Sequence, residues 1–251
     1  MIKLEKVSKK FGLGSVALSD INLLVEKGEF VFLVGPTGSG KTTIFRLITR
    51  ELLPSEGSII IDEWDITRLP KQKIQHLRKK VGVVFQDLKL LTDRTIFENV
   101  ALPLEVIGIK PEEAKTRVEG VLSSVGILPH KDKFPIQLSG GELQRAAIAR
   151  ALILSPDIIL ADEPTGNLDD NTSWEIVKLL SAINEKGTTI IMATHNSEII
   201  KKLSKRVIAL EKGKIARDDK SKSVSTHKEE KPKEEQDKAG KDKDKEEKKE
   251  A

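Results

Sequence analysis

The sequence contains no cysteine and no tyrosine, and its aromatic residues are seven Phe and two Trp in 251 positions. Without thiols, disulfides and thiolate catalysis are excluded and the usual Cys ligands of structural zinc are missing, which suits a reducing compartment. So few rings argue against a base-stacking platform. A formal net charge of +4 is likewise far from the concentrated basic footprint of a dedicated nucleic-acid binder, so no nucleic-acid partner is expected. Long apolar runs are also lacking: no uninterrupted stretch reaches the roughly 18 residues needed to cross a bilayer. A role at a membrane would have to come through another chain. Met1 leads into an alternating stretch and not into a charged region followed by an apolar one, so no secretion signal is expected. From Asp218 to Ala251 the chain is Lys, Glu and Asp with almost no large apolar residue, too little to offset its ordering entropy, and this segment is expected to be a disordered charged tail.

The first 217 residues are patterned differently. Ile2–Val7, Ile21–Val25, Phe30–Val34, Ser58–Ile61, Val81–Phe85, Ile158–Ala161, Thr188–Ala193 and Val207–Leu210 read as strands, several of them apolar on both faces. Helical spacing marks Thr42–Arg50, Glu142–Leu154, Thr172–Asn184 and the stretch from Thr95 to Val125, with Pro111 at a helix start. Doubly buried strands alternating with helices predict an α/β fold with a mostly parallel, sandwiched sheet, and a helical insertion over about residues 95–150.

Three motifs carry chemistry. Gly35-Pro36-Thr37-Gly38-Ser39-Gly40-Lys41-Thr42 follows an apolar strand and opens a helix, the full phosphate-loop pattern in its required context. Its glycines let backbone N–H groups turn toward phosphate oxygens, and the helix N-terminus adds roughly half a positive charge there. Lys41 is expected to reach the β- and γ-phosphates, and the Thr42 hydroxyl to ligate Mg²⁺. The strand Ile158–Ala161 ends in Asp162 and Glu163, where one carboxylate can hold the metal and the next can accept a proton from an attacking water. Leu138-Ser139-Gly140-Gly141-Glu142 opens a helix as a second anion-binding turn. One nucleotide needs only one phosphate loop, so a second phosphate-reading site suggests that two chains share each ATP.

In this order the motifs resemble the ABC ATPase family. The resemblance covers Met1 to about Arg217 and implies a P-loop NTPase fold of the ABC type, with an antiparallel β part and a helical signature subdomain. It implies that Gln86 senses Mg²⁺ and the γ-phosphate, that Asp169 belongs to the D-loop, that His195 is the switch histidine, and that Phe11 stacks on adenine. Thr43 joins the ATP-binding set, and Leu138 to Glu142 act in trans across an ATP-bound homodimer.

Further stretches, among them residues 85–91, 93–108 and 161–169, are similar to the cell-division branch of the family, the FtsE ATPases. That similarity implies an integral membrane partner resembling FtsX, a peripheral place on the cytoplasmic face of the membrane, and control of peptidoglycan hydrolysis. Lipoprotein-releasing and macrolide-exporting ATPases share much of residues 161–169 and give the alternative reading. A soluble ribosome- or DNA-associated ABC protein is disfavoured, because the chain has one motif set and no long coiled coil. By the same resemblance, a short helix of the membrane partner is expected to dock on the surface from Gln86 through Arg94 into the helix holding Phe97 and Val100; the alternative is that Leu88, Leu90 and Leu91 only pack the helical insertion onto the sheet.

Overall fold

The computed structural model describes residues 1–219. An antiparallel pair, β1 (Ile2–Lys10) and β2 (Val16–Val25), leads to β3 (Phe30–Val34) and α1 (Lys41–Ile48). Then come β4 (Glu56–Ile61), β5 (Trp64–Asp65), α2 (Ile74–Lys80) and β6 (Val81–Val84). The helical part is α3 (Ile96–Val106), α4 (Pro111–Ser124) and α5 (Gly140–Leu152). The chain returns through β7 (Ile158–Asp162), α6 (Asp170–Glu185), β8 (Thr189–Ala193), α7 (Ser197–Leu203), β9 (Arg206–Glu211) and β10 (Lys214–Asp219).

Two sheets result. One is antiparallel, in the order β2-β1-β4-β5; the other runs β10-β9-β3-β8-β7-β6 and is parallel except for the β9-β10 hairpin. The parallel strands are buried on both faces, and their side chains sort by parity as the two-residue period demands. Phe30 and Phe32 join the core shared with the helices from α3 to α6, while Val31 and Leu33 join the core shared with the antiparallel sheet and α1. Ile159 and Ala161 of β7 divide from Ile158 and Leu160 in the same way. Because the strands are parallel, β3, β6, β7 and β8 all finish at one edge, the place where open α/β sheets bind ligands.

α3, α5, α6 and α7 start where a side chain caps them. Thr95 caps α3 by accepting from Glu98 N–H at 3.2 Å, and the Glu98 carboxylate accepts from Thr95 N–H at 2.7 Å. Pro111 opens α4 at the position where its missing N–H does no harm. Three short elements were not expected. α2 buries only Leu77 and α7 only Ile199, so neither shows a stripe, and β5 has two residues. Trp64 and Trp174 have packing roles: the Lys80 ammonium lies 5.8 Å from the first ring centroid, and Lys178 and Lys202 each lie 5.6 Å from the second.

The expected start of the tail, Asp218, needs correction, because Asp218 and Asp219 complete β10. The reason is Arg206, whose side chain is 5 % exposed and needs anionic partners. It donates to both Asp218 carboxylate oxygens at 2.7 and 2.6 Å, to Glu29 at 3.0 Å and to the Leu24 carbonyl at 2.8 Å. Charge alone hides this from composition. The remainder of the expected tail, 220–251, lies outside the described residues. Asp218→Ala should lower unfolding free energy by about 2 kcal/mol, the scale of hydrogen bonds to a charged group, measured by urea denaturation. An unchanged midpoint would show that Glu29 alone satisfies Arg206.

Candidate functional site

The loop after β3 turns on glycine. Gly40 caps α1 with φ of 111°, and a Cβ there would lie 2.5 Å from Leu18 Cδ2. At Gly35 a Cβ would lie 2.2 Å from the Leu210 carbonyl oxygen of β9. Only glycine lets the loop pass so close to its neighbours. Buried Lys41 donates to the carbonyls of Gly35 (2.8 Å) and Pro36 (3.1 Å), which holds its ammonium over the loop. The Thr42 hydroxyl donates to Asp162 Oδ2 at 2.9 Å and so joins α1 to the end of β7. Ser39 is buried, and its hydroxyl has no partner among the described residues.

A cleft of about 260 Å³ gathers Thr37, Gly38 and the run Gly40 to Thr43 from the loop and α1, Gln86 from beyond β6, and Asp162 and Glu163 from the end of β7. Ala17 of β2 forms its remaining wall, and nothing in the chemistry of an alanine marks it beforehand. Burial pushes the Asp162 pKa above the ordinary carboxylate range; the Thr42 hydrogen bond and Lys41 oppose this, and the Glu163 charge adds to it. A poorly solvated carboxylate beside a hydroxyl and an amide is a set of hard oxygen donors. Such donors, completed by phosphate and water, suit Mg²⁺ better than an all-protein cage would. No group of three or more His, Cys, Asp or Glu able to hold a metal occurs among the described residues.

Glu163 has φ of 45°, a strained value for a residue with a side chain, and its N–H is tied to the Ala193 carbonyl of β8 at 3.0 Å. This brings its carboxylate to His195, with Oε2 and Nδ1 3.2 Å apart. His195 remains 70 % exposed and Glu163 is largely covered, so the pair reaches from the cleft to the surface.

A second cleft, of about 310 Å³, is lined by Ser139 to Glu142, Asn167 to Asp169 and Thr172. Ser139 caps α5: its N–H and its hydroxyl both donate to Glu142 Oε2 at 2.7 Å, and those two bonds hold the Glu142 carboxyl below its usual range. His130 Nε2 stands 3.0 Å from the other Glu142 oxygen. Asp169 caps α6, accepting from Thr172 N–H at 3.0 Å and from its hydroxyl at 2.6 Å. The two loops meet because residue 141 is glycine; a Cβ there would lie 2.5 Å from Thr172 Cγ2. Thr172, Arg145 and Glu175 also line this cleft without belonging to the motif residues. Leu138 packs against the core and does not line the cleft. Phe11 is 40 % exposed, outside the residues lining the first cleft, with the Lys9 ammonium 5.3 Å from its ring centroid. None of Ser139 to Glu142 lines the phosphate-loop cleft, so one chain carries two separate clefts.

The ABC transporter family model matches residues 18–166, from β2 through the phosphate loop and the Ser139–Glu142 turn to just beyond Glu163; Asn167 to Asp169 and Thr172 lie past its end. The chain belongs to the ABC transporter family. As a member it is an ATPase, binding ATP at its cassette. It is 50 % identical over 219 residues to the cell division ATP-binding protein FtsE of Bacillus subtilis, covering 87 % of this chain and 96 % of that one. FtsE of Escherichia coli is 44 % identical over 215 residues, covering 86 % and 97 %. The ABC ATPase is also similar to the solved cassette MJ0796, a dimer in a post-hydrolysis state with ADP and phosphate. The TM-score is 0.81 at 37 % identity, over 89 % of this chain and all of that one.

Gly141→Ala in this ABC ATPase should force the signature turn away from Thr172 and cost about 1–3 kcal/mol, as overpacking does. Thr172→Ser removes the obstructing methyl but keeps the hydroxyl for Asp169, and should restore thermal stability in the double variant. If the double variant stays as unstable as Gly141→Ala, the glycine serves another purpose.

Proposed function

We propose that the chain is the ATP-hydrolysing subunit of a membrane complex of the FtsE type, working as a head-to-tail homodimer beneath an FtsX-like integral membrane subunit in cell division. The observation that carries this is the separation of the phosphate-loop cleft from the signature cleft on one chain, since a two-fold dimer makes two such halves into two whole sites. The dimeric MJ0796 cassette and the names of the FtsE relatives support the same reading.

In the proposed cycle the loop amides and the α1 N-terminus take the phosphates, and Lys41 exchanges the Gly35 and Pro36 carbonyls for β/γ-oxygens. Phe11 covers the adenine. Thr42, Gln86 and Asp162 would hold Mg²⁺, which supplies charge neutralisation on the phosphate oxygens when bound. Ser139 and Gly141 of the second copy close over the γ-phosphate. Glu163 accepts the proton of the attacking water, a contribution of about 10²–10⁴ in rate. His195, 3.2 Å from Glu163, orients that carboxylate and steadies the γ-phosphate. Asp169 holds the D-loop against the signature turn through Thr172.

Motion leaves the dimer beside Gln86. An apolar groove of about 610 Å³ opens there between Phe45, Thr49, Val83, Phe85 and Lys89, and it suits a short helix of the membrane subunit. The surface first drawn along residues 86–100 narrows accordingly. Leu91 is 38 % exposed, Leu88 and Leu90 pack against the core, and Val100 is fully buried and takes no part. No helix among the described residues is long and apolar enough to cross a membrane. In this reading the chain attaches to the cytoplasmic face through its partner, with control of peptidoglycan hydrolysis as the output.

Glu163→Gln should bind ATP normally, lose turnover by about 10²–10⁴, and accumulate an ATP-bound dimer in light scattering. Ser139→Arg should keep the monomer's ATP affinity yet block dimer and turnover, whereas Lys41→Ala should lose affinity. Equal loss of affinity in Ser139→Arg and Lys41→Ala would sink the shared-site reading.

A further inference from the structure

The last turn of α5 holds an arginine that the proposed chemistry does not use. Arg150 is half-buried, and its guanidinium donates from Nη1 to the Lys89 carbonyl and from Nη2 to the Leu88 carbonyl, each at 2.6 Å. Burial pushes its pKa down, with no neighbouring carboxylate to offset it. Among the described residues this half-buried cation is held by two backbone carbonyls and no carboxylate, and the loop it grips is unusual too. Leu88 and Lys89 have φ of 57° and 52°, two successive side-chain-bearing residues in the left-handed region. A Cβ in this region crowds the following carbonyl oxygen, so the loop needs an outside hold. Asn99 of α3 supplies the second hold: it is fully buried, accepts from Leu91 N–H at 2.7 Å and donates to the Leu91 carbonyl at 2.9 Å.

Gln86 begins this loop, and it lines the ATP cleft. Ser139, at the other end of α5, lines the second cleft. Eleven helical steps at 1.5 Å separate the two ends, about 16 Å along one rigid rod. We infer that Arg150 is the positioning residue that ties the two half-sites together, its fork on the Leu88 and Lys89 carbonyls making Gln86 move with the signature end of α5. Engagement of Ser139 by the second copy's ATP therefore sets where Gln86 stands over the chain's own ATP, and dimer closure is transmitted through one helix. The fork matters: a lysine ammonium is a point charge and cannot hold two carbonyls in a fixed plane. This inference rests on the ABC-dimer reading above.

The test uses the full chain and steady-state ATPase assays with fluorescent-nucleotide titration. Arg150→Lys keeps the charge and most of the stem, so the fold is retained; Arg150→Met tests the same contact without charge. For both, monomer ATP affinity and KM should stay within about twofold while kcat falls about tenfold, the scale of a coupling residue. Amide exchange should quicken over residues 86–91 and stay unchanged in β3 and β7. Because Arg150 acts through Gln86, Arg150→Lys should add almost nothing to the loss already caused by Gln86→Ala. A parental kcat in Arg150→Lys, or full additivity with Gln86→Ala, overturns the inference; so does a loss of ATP affinity parallel to the loss of kcat. Glu163→Gln run alongside separates the two failures. If it keeps turning over, the catalytic reading has failed; if it is inactive while Arg150→Lys is normal, only the tie has failed.

Discussion

Everything at the site depends on parallel pairing. β3, β8, β7 and β6 lie side by side and point the same way, so the phosphate loop, His195, Asp162 with Glu163, and Gln86 arrive at one edge although they are far apart in sequence. Parallel strands require long crossovers, and these place helices on one face and the antiparallel sheet with α1 on the other. The doubly buried strands are the energetic consequence of that covering. Their apolar runs are long enough to specify the sheet and too short to leave freedom in register. The Thr42–Asp162 hydrogen bond then fastens the first crossover helix to β7 across the cleft, two strands away from β3.

The signature end of the molecule obeys a different constraint, the satisfaction of helix termini. Ser139 and Asp169 are both N-caps, and each is held by a residue three positions on. Two helix starts, α5 and α6, are brought within contact because Gly141 has no side chain. Local capping chemistry thus shapes the surface that the proposed dimer would set against a second copy's nucleotide.

Much of this was legible in the sequence, and the exceptions have physical causes. β3, its loop and α1 are readable because a both-face apolar run meets a glycine pattern with one purpose. The bounds expected for β3 agree with those observed, and Pro111 opens α4 as its chemistry requires. α2 and α7 were invisible because a helix burying one side chain has no period to detect. The end of the fold was misjudged because Asp218 looks like the charged residues after it, while its partner Arg206 sits twelve positions earlier. Val100 carries its own lesson. The spacing of Ile96, Val100 and Leu104 correctly marked a helix, and that same stripe is the inward face, so Val100 could not also belong to a docking surface. The pairing of Glu163 with His195 and the grip of Arg150 on two carbonyls depend on tertiary approach and leave no local mark.

The internal partners of the ATP-facing groups have a consequence for reversibility. The Lys41 ammonium, the Thr42 hydroxyl and the Ser139 hydroxyl each already donate to oxygens of their own chain. In the proposed cycle a phosphate takes over Lys41 and Ser139 protons that were already engaged, while the Thr42 oxygen turns to Mg²⁺, so each exchange gains less than a bond made from a free donor would. Shallow exchange of this kind leaves neither end of the stroke in a deep well. A machine that must let go of its spent nucleotide many times over is served by donors that have somewhere to return.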